Sequence, residues 1–349
     1  MRRLAIALAM LTILGLGLSS CSPGYVLRSA WYQAELLRSR VPLQQARKSG
    51  KLTPVQLEAL DRVDEVKAFG RSLGLKATRN YESVALDWHR RVWNVNACEP
   101  LAFRPKTWWF PIVGRVPYLG YFDRGHADAA ARRLARQGWD VNVREAAAYS
   151  TLGWFRDPIL VPMLSWDEFD LAETILHELA HATLWVKGSV AFNESFAAFV
   201  GEEGAFRYLA SKYGIDSSEY RRAREEQEDL ESWRAVQKTL FEDLERTYDD
   251  ASLDLPTKRE RKAALLASLP ERVAAAPFHD RPRFERAAGQ RPWNNAHLAE
   301  FRTYHSDRPA FEALLAESGG DLSAFIERVR ALAARGEPFA ELARATKPR

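Results

Sequence analysis

Apolar residues recur at two spacings along this chain, and the helical one dominates. From Gly24 to Arg47, Tyr25, Leu27, Trp31, Leu36 and Leu37 fall at helical spacing. Thr53-Pro54, an N-cap followed by proline at the first helical position, opens a second helix running to about Gly74. The two predict an N-terminal helical hairpin. Between residues 79 and 122 the period shortens. Val84, Leu86, Val92, Trp93 and Val95 recur near period two, and Trp108, Trp109 and Phe110 follow. Turn residues at Asn94–Asn96, Glu99-Pro100 and Gly114 punctuate the block, which predicts strands. Asp123 to Gln137 reads as a short helix and Trp139 to Ala147 as a strand.

Past residue 165 the helical period returns. Leu171, Ile175, Leu179 and Ala182 form one stripe, and Phe196, Phe199, Val200, Phe206 and Leu209 form a second that ends at Gly214. Asp170 with Glu173 predicts a capping box for the first of these helices, Gly188 its end, and Asn193 the N-cap of the next. Leu230, Trp233, Leu240, Leu244 and Tyr248 mark a long surface helix over residues 218–248, and Pro256 precedes another over 257–269. Phe278 to Asn295 is rich in Pro and Arg and predicted irregular. Trp293-Asn294-Asn295-Ala296 then leads a helix carrying His297, Tyr304 and His305, and residues 311–345 are helical. The fold class is therefore α+β, mostly helical. The organisation expected is an N-terminal helical segment over 21–78 and one domain over 79–349. That domain divides into a β-containing part at 79–160, a helix pair at 165–214 and a helical remainder at 215–349.

The first twenty residues stand apart. Arg2-Arg3 precedes an apolar run from Leu4 to Leu18, short of the roughly 20 residues a bilayer span needs. The run ends in Leu18-Ser19-Ser20-Cys21, which resembles a bacterial lipobox. The resemblance implies a signal peptide over 1–20 and a lipid on Cys21. Ser22 follows, where an Asp would signal inner-membrane retention, so the expected location is the outer membrane, facing the periplasm. The plain alternatives are an ordinary signal peptide or an N-terminal anchor. The second cysteine, Cys98, is left unpaired and reads as a small core residue. A net charge of +4 with interleaved signs and no basic block argues against nucleic-acid binding.

The chemistry sits in Leu171–Gly204. His177-Glu178-Leu179-Ala180-His181 is an H-E-x-x-H motif: on a helix, residues four apart share a face, so two imidazoles can meet one metal ion while Glu178 reaches a water beside it. A catalytic zinc also needs a third protein ligand and an open position. Asn193-Glu194 opens a second helix after a short connection, and antiparallel packing lets Glu194 face back towards His177 and His181. The bland alternative is a pair of core histidines satisfied by backbone carbonyls, with Glu194 a solvated first-turn acid.

H-E-x-x-H followed by Asn193-Glu194-x-Phe196-Ala197 resembles the gluzincin metallopeptidases, which implies Glu194 as the third zinc ligand and a small sheet with a peptide-binding edge beside the zinc helix. The chain departs from aminopeptidase-N-type members in its shorter spacing, twelve residues between His181 and Glu194, and in lacking a G-x-M-E-N strip. Closer still, Phe110–Phe122, Tyr149–Phe155, the zinc motif and Trp293–Ala296 are similar to a family of bacterial lipoproteins described as predicted aminopeptidases. That resemblance covers nearly all of the mature chain and implies a Zn2+ peptidase acting on peptides. Its oxyanion donor would be Tyr149, Tyr118 or Tyr304, each also readable as a buried tyrosine. Glu202 and Glu203 are candidates for a substrate's ammonium, and Asn294 and Asn295 for its backbone, with solvated helix acids and a helix cap as the alternatives. Val113–Phe122 would supply loops near the cleft, or simply an aromatic β core. An endopeptidase of the same chemistry, and a non-catalytic envelope lipoprotein with structural zinc, stay open.

Overall fold

The computed structural model describes residues 23–88, 90–110, 114–146, 157–299 and 308–346. In chain order, helix α1 (Pro23–Arg38) precedes strand β1 (Arg40–Pro42), then α2 (Leu43–Lys48) and α3 (Pro54–Ser72). Strands β2 (Ser83–Ala85), β3 (Trp93–Cys98), β4 (Trp108–Phe110), β5 (Gly114–Val116) and β6 (Tyr118–Tyr121) follow, then α4 (Arg124–Arg136), β7 (Asp140–Glu145) and β8 (Ile159–Leu160). The rest is helical: α5 (Glu168–Thr183), α6 (Val190–Tyr213), α7 (Ser218–Asp249), α8 (Leu255–Ala267), α9 (Leu269–Ala275), α10 (Arg281–Gly289), α11 (Asn295–Leu298), α12 (Arg308–Glu317), α13 (Leu322–Ala333) and α14 (Pro338–Ala345). The mostly helical α+β class holds. Among the described residues no helix is long and apolar enough to cross a membrane.

These elements form two compact units that do not follow the expected division at residue 79. One takes the described residues up to Ser39, those of 90–146, and Asn294–His297; the other takes Arg40–Trp88 and the remainder. The helical stripe expected over Gly24–Arg47 is broken. Helix α1 ends at Arg38, β1 interrupts the stripe, and α1 and α3 fall in different units. The reason lies in a distant partner: Val41 and Pro42 pair with Val84 and Ser83 of β2, so an extended backbone at 40–42 gains ladder hydrogen bonds that a continuous helix would forgo.

In the smaller unit, β3 is the central strand of an antiparallel sheet ordered β6-β3-β7, with Val95 opposite Leu119 and Val143. Val95, Ala97, Leu119, Ala127 and Leu134 form its core, the last two supplied by α4. Asp123 caps α4 by accepting from His126 N at 2.9 Å. Strands β4 and β5 pair separately as a hairpin.

In the larger unit, a small sheet ordered β1-β2-β8 joins α3, α5 and α6 around one core. Thr53 and Gln56 cap α3 reciprocally, as the Thr-Pro start predicts. Phe192, Phe196 and Phe199 stack along one flank of α6 against Phe311 and Phe325, with Phe199 and Phe325 ring centres 5.2 Å apart. Helix α10 occupies the stretch expected to be irregular. Asp280 caps it and Pro282 sits in its first turn, where a proline's missing N–H costs nothing.

Candidate metal centre

The two helices carrying the H-E-x-x-H and Asn-Glu pairs lie against each other closely enough to need a glycine. A Cβ on Gly201 of α6 would lie 2.9 Å from Glu173 O and 3.1 Å from His177 Cβ of α5. At Gly204 it would lie 2.8 Å from Leu176 Cδ1. Absence of side chains there brings the two backbones together and sets the reach of the side chains one turn further along.

Both helices start earlier than their cap residues predict. Asp167, not Asp170, caps α5, accepting from Phe169 N at 2.8 Å. Asp170 lies inside the first turn, where burial and the nearby Glu226 and Asp167 push its carboxyl up to about 6. Glu173 is not part of a capping box; burial, then Glu202 and Asp170, push it up to about 7. Helix α5 ends at Thr183, five residues before Gly188. Helix α6 starts at Val190, so Asn193 is helical already. Its amide spans the connection instead: Oδ1 accepts from Val186 N at 2.8 Å and Nδ2 donates to Val186 O at 2.9 Å. One buried amide thus holds the loop that sets the offset between the helices. The far end is pinned by Lys212, which donates to Glu65 and Glu168, with the single Tyr208 hydroxyl proton within reach of either carboxylate.

Within this frame His177, His181 and Glu194 converge. The two imidazoles stand edge to face with ring centres 4.6 Å apart. Glu194 reaches both, Oε2 lying 3.6 Å from His177 Nε2 and Oε1 3.6 Å from His181 Nε2. One ligand atom from each of the three lies within 4.8 Å of the others. These separations are too long for good hydrogen bonds. The 3.6 Å separations, one to each oxygen of Glu194, lie close to the edge of about 3.4 Å of a tetrahedron around an ion bound at about 2.0–2.2 Å. Burial raises the Glu194 carboxyl, but the two imidazoles outweigh it and hold the group down at about 2, ionised as a ligand must be. His181 is buried and its Nδ1 has no partner among the described residues. A core histidine held by backbone carbonyls would not look like this. The donor set of two nitrogens and one carboxylate suits a divalent transition metal.

Glu178 is buried next to His177. A residue that the sequence does not flag stands in its field. Tyr81 is buried, with φ of 61°, the left-handed region that a bulky residue rarely occupies. Its N donates to Asp157 O at 2.8 Å. Burial, Glu178 and Asp157 hold its hydroxyl well above the usual range. Only the fold reveals this, since Arg79-Asn80-Tyr81-Glu82 carries no turn signal for a positive φ.

The remaining candidates separate. Glu202 is buried and takes the Arg308 guanidinium in a fork, both contacts at 2.7 Å, so its charge is already engaged. Glu203 lies 3.7 Å from Arg207. In the smaller unit, Tyr118 is an exposed residue of β6. There Asn294 Oδ1 accepts from Ala296 N at 2.9 Å, and Asn294 Nδ2 donates to Val141 O, which is the cap alternative. Asn295 is fully buried and donates to Glu99 O at 2.8 Å. Tyr149, Tyr304, Cys21 and residues 1–20 lie outside the described residues.

Residues 24–341 match the model of a family described as "Putative aminopeptidase". No curated protein and no solved structure matches the chain.

Proposed function

The chain belongs to this aminopeptidase family, and on that premise we propose that it is a zinc-dependent aminopeptidase. The observation that carries the metal half of the reading is the convergence of His177, His181 and Glu194 at tetrahedral-edge distances, with Glu178 at the next position along the helix. When bound, zinc would polarise the scissile carbonyl and acidify a water. Every other task falls to side chains. His177 and His181 would hold the ion through neutral imidazole nitrogens and Glu194 through its carboxylate. Glu178 takes the proton of the attacking water and returns it to the leaving amine. Ile175, Leu176 and Leu179 of α5 are buried in the core and anchor the helix that carries Glu178.

The envelope role is part of the proposal. A lipid on Cys21 would tether the enzyme to the bacterial outer membrane on its periplasmic side, with peptides as substrates. Labelling with an alkyne-bearing fatty acid, compared with Cys21→Ser, tests the anchor.

The activity is tested with the full zinc-loaded chain in detergent on a peptide library with free amino termini and on the same library N-acetylated, with products read by mass. Loss of single N-terminal residues from the free set alone is expected. Internal cuts in both sets would make the chain an endopeptidase. No cleavage in either, with zinc bound, would defeat the catalytic reading.

A further inference from the structure

A cavity of about 380 Å3 is walled by α6, α7 and α12 and by Glu173 of α5, and it reaches Ser195, the neighbour of Glu194 in sequence. Its polar wall carries the acids Glu173, Glu202, Glu231 and Glu312, the cations Arg234, Lys238 and Arg308, and Ser195, and its apolar wall includes Ala198, Phe199 and Pro309. The acids here are not equivalent. Glu202 is closed by the Arg308 fork, and Arg308 Nε donates in turn to Glu312 at 2.8 Å. Glu173 makes no hydrogen bond or ion pair among the described residues and is half-buried at the cavity wall. The Ser195 hydroxyl is buried and likewise has no partner there. Unpaired polar groups in a desolvated site are costly. A carboxylate and a hydroxyl that both accept are complemented by a cationic donor, and a primary ammonium offers three N–H groups on a small volume. The Ala198, Phe199 and Pro309 surface suits the alkyl part of such a ligand.

The placement relative to the metal ligands narrows the class. Glu173 precedes His177 by four residues on α5, a rise of about 6 Å, and Ser195 directly follows Glu194. In a peptide the α-nitrogen is two bonds from the first carbonyl carbon. A carbonyl at the metal centre keeps the α-ammonium within a few ångströms of it, and the Glu173 turn is the neighbouring one on α5. We propose that Glu173, assisted by Ser195, holds the α-ammonium of the substrate's first residue and so determines specificity for a free amino terminus. The inference rests on the peptidase reading above and replaces Glu202 as the ammonium anchor.

The test compares two metal-binding probes on the full zinc-loaded chain: leucine hydroxamate and the same hydroxamate lacking the α-amino group. Calorimetry gives both affinities, and turnover of a free-amine peptide is recorded on the same samples. The wild type should prefer the amine probe by about tenfold or more, the equivalent of about 1.4 kcal/mol. Glu173→Gln should erase that preference while binding the desamino probe as before, which also shows that the variant is folded. Ser195→Ala should reduce the preference two- to threefold, and Glu203→Gln should leave it unchanged. A preference that survives in Glu173→Gln overturns the proposal, and normal wild-type turnover in that case leaves the peptidase reading intact. A preference lost in Glu173→Gln without turnover in the wild type keeps the ammonium site and defeats the peptidase reading. A wild type that binds both probes equally, or neither, overturns the proposal. Should Glu173→Gln not fold, Ser195→Ala carries the test, and an unchanged preference there overturns it.

Discussion

Gly201 of α6 faces His177 of α5 so closely that a single added methyl would sit 3.1 Å from His177 Cβ and 2.9 Å from the carbonyl oxygen of Glu173. Both contacts are with rigid groups, so Gly201→Ala must push the helices apart. The expected result is destabilisation by about 1–3 kcal/mol, the usual cost of overpacking. Zinc affinity should fall as well, because Glu194 retreats from both imidazoles. Thermal melts with and without zinc measure the two effects separately. An unchanged zinc-induced shift would show that the close approach does not set the ligand geometry.

Zinc should stabilise the chain through three side chains and no others. At one hundred times its dissociation constant, a ligand adds about 2.7 kcal/mol. His181→Ala and Glu194→Ala should each abolish most of that gain in a titration followed by melting temperature. A full zinc-dependent shift in either variant would place the ion elsewhere.

Glu178→Gln should keep the zinc-induced shift and lose turnover, by about 10²–10⁴-fold in kcat. The amide fills the same volume but cannot accept the water's proton. Metal analysis of the purified variant separates a lost base from a lost ion, and undiminished kcat would remove Glu178 from the mechanism.

Stability without metal should fall as pH rises towards neutrality. Glu173 keeps its proton up to about 7 and Asp170 up to about 6 in the folded chain, against about 4 for ordinary carboxylates. Between about pH 4 and 7 the folded state therefore binds more protons than the unfolded one, which makes the pH slope of the unfolding free energy negative. Glu194, held at about 2, acts in the opposite sense: its contribution is present above about pH 4.5 and is lost as pH falls towards 2. Melting curves of apo wild type and Glu173→Gln should therefore coincide near pH 4.5 and diverge by pH 8, with the variant the more stable. Equal melting temperatures at pH 8 would contradict the burial of this charge.

Glu202→Gln should act on stability more than on substrate recognition. It leaves Arg308, itself partly buried and forked onto that carboxylate at 2.7 Å, without its main counter-charge. Breaking one side of such a pair costs about 3–5 kcal/mol when the pair is buried, and somewhat less here because Arg308 is partly exposed. A denaturant melt measures the loss. A stable variant with impaired selection for free amino termini would return Glu202 to the substrate's side.

Local sequence carried the parts of this protein whose physics is local. The helical period over 168–213 reflects burial of one face, and His177 and His181 share a face because any helix turns once in 3.6 residues. Glu194 as a partner needed only a short connection and a second helix. Thr53 announced its cap because a cap is made within three or four residues. Tertiary structure decided whatever depends on partners distant in sequence. Residues 40–42 became a strand because β2 lies forty residues further on. Asn193 became a clamp because Val186, not the helix start, offered its backbone. The role of each acid was settled in the same way: Glu202 meets Arg308 across 106 positions, while Glu173, three residues from Asp170 and readable as half of a capping box, was left facing a cavity. Periodicity records which side of an element is buried; it does not record what the other buried elements bring to meet it.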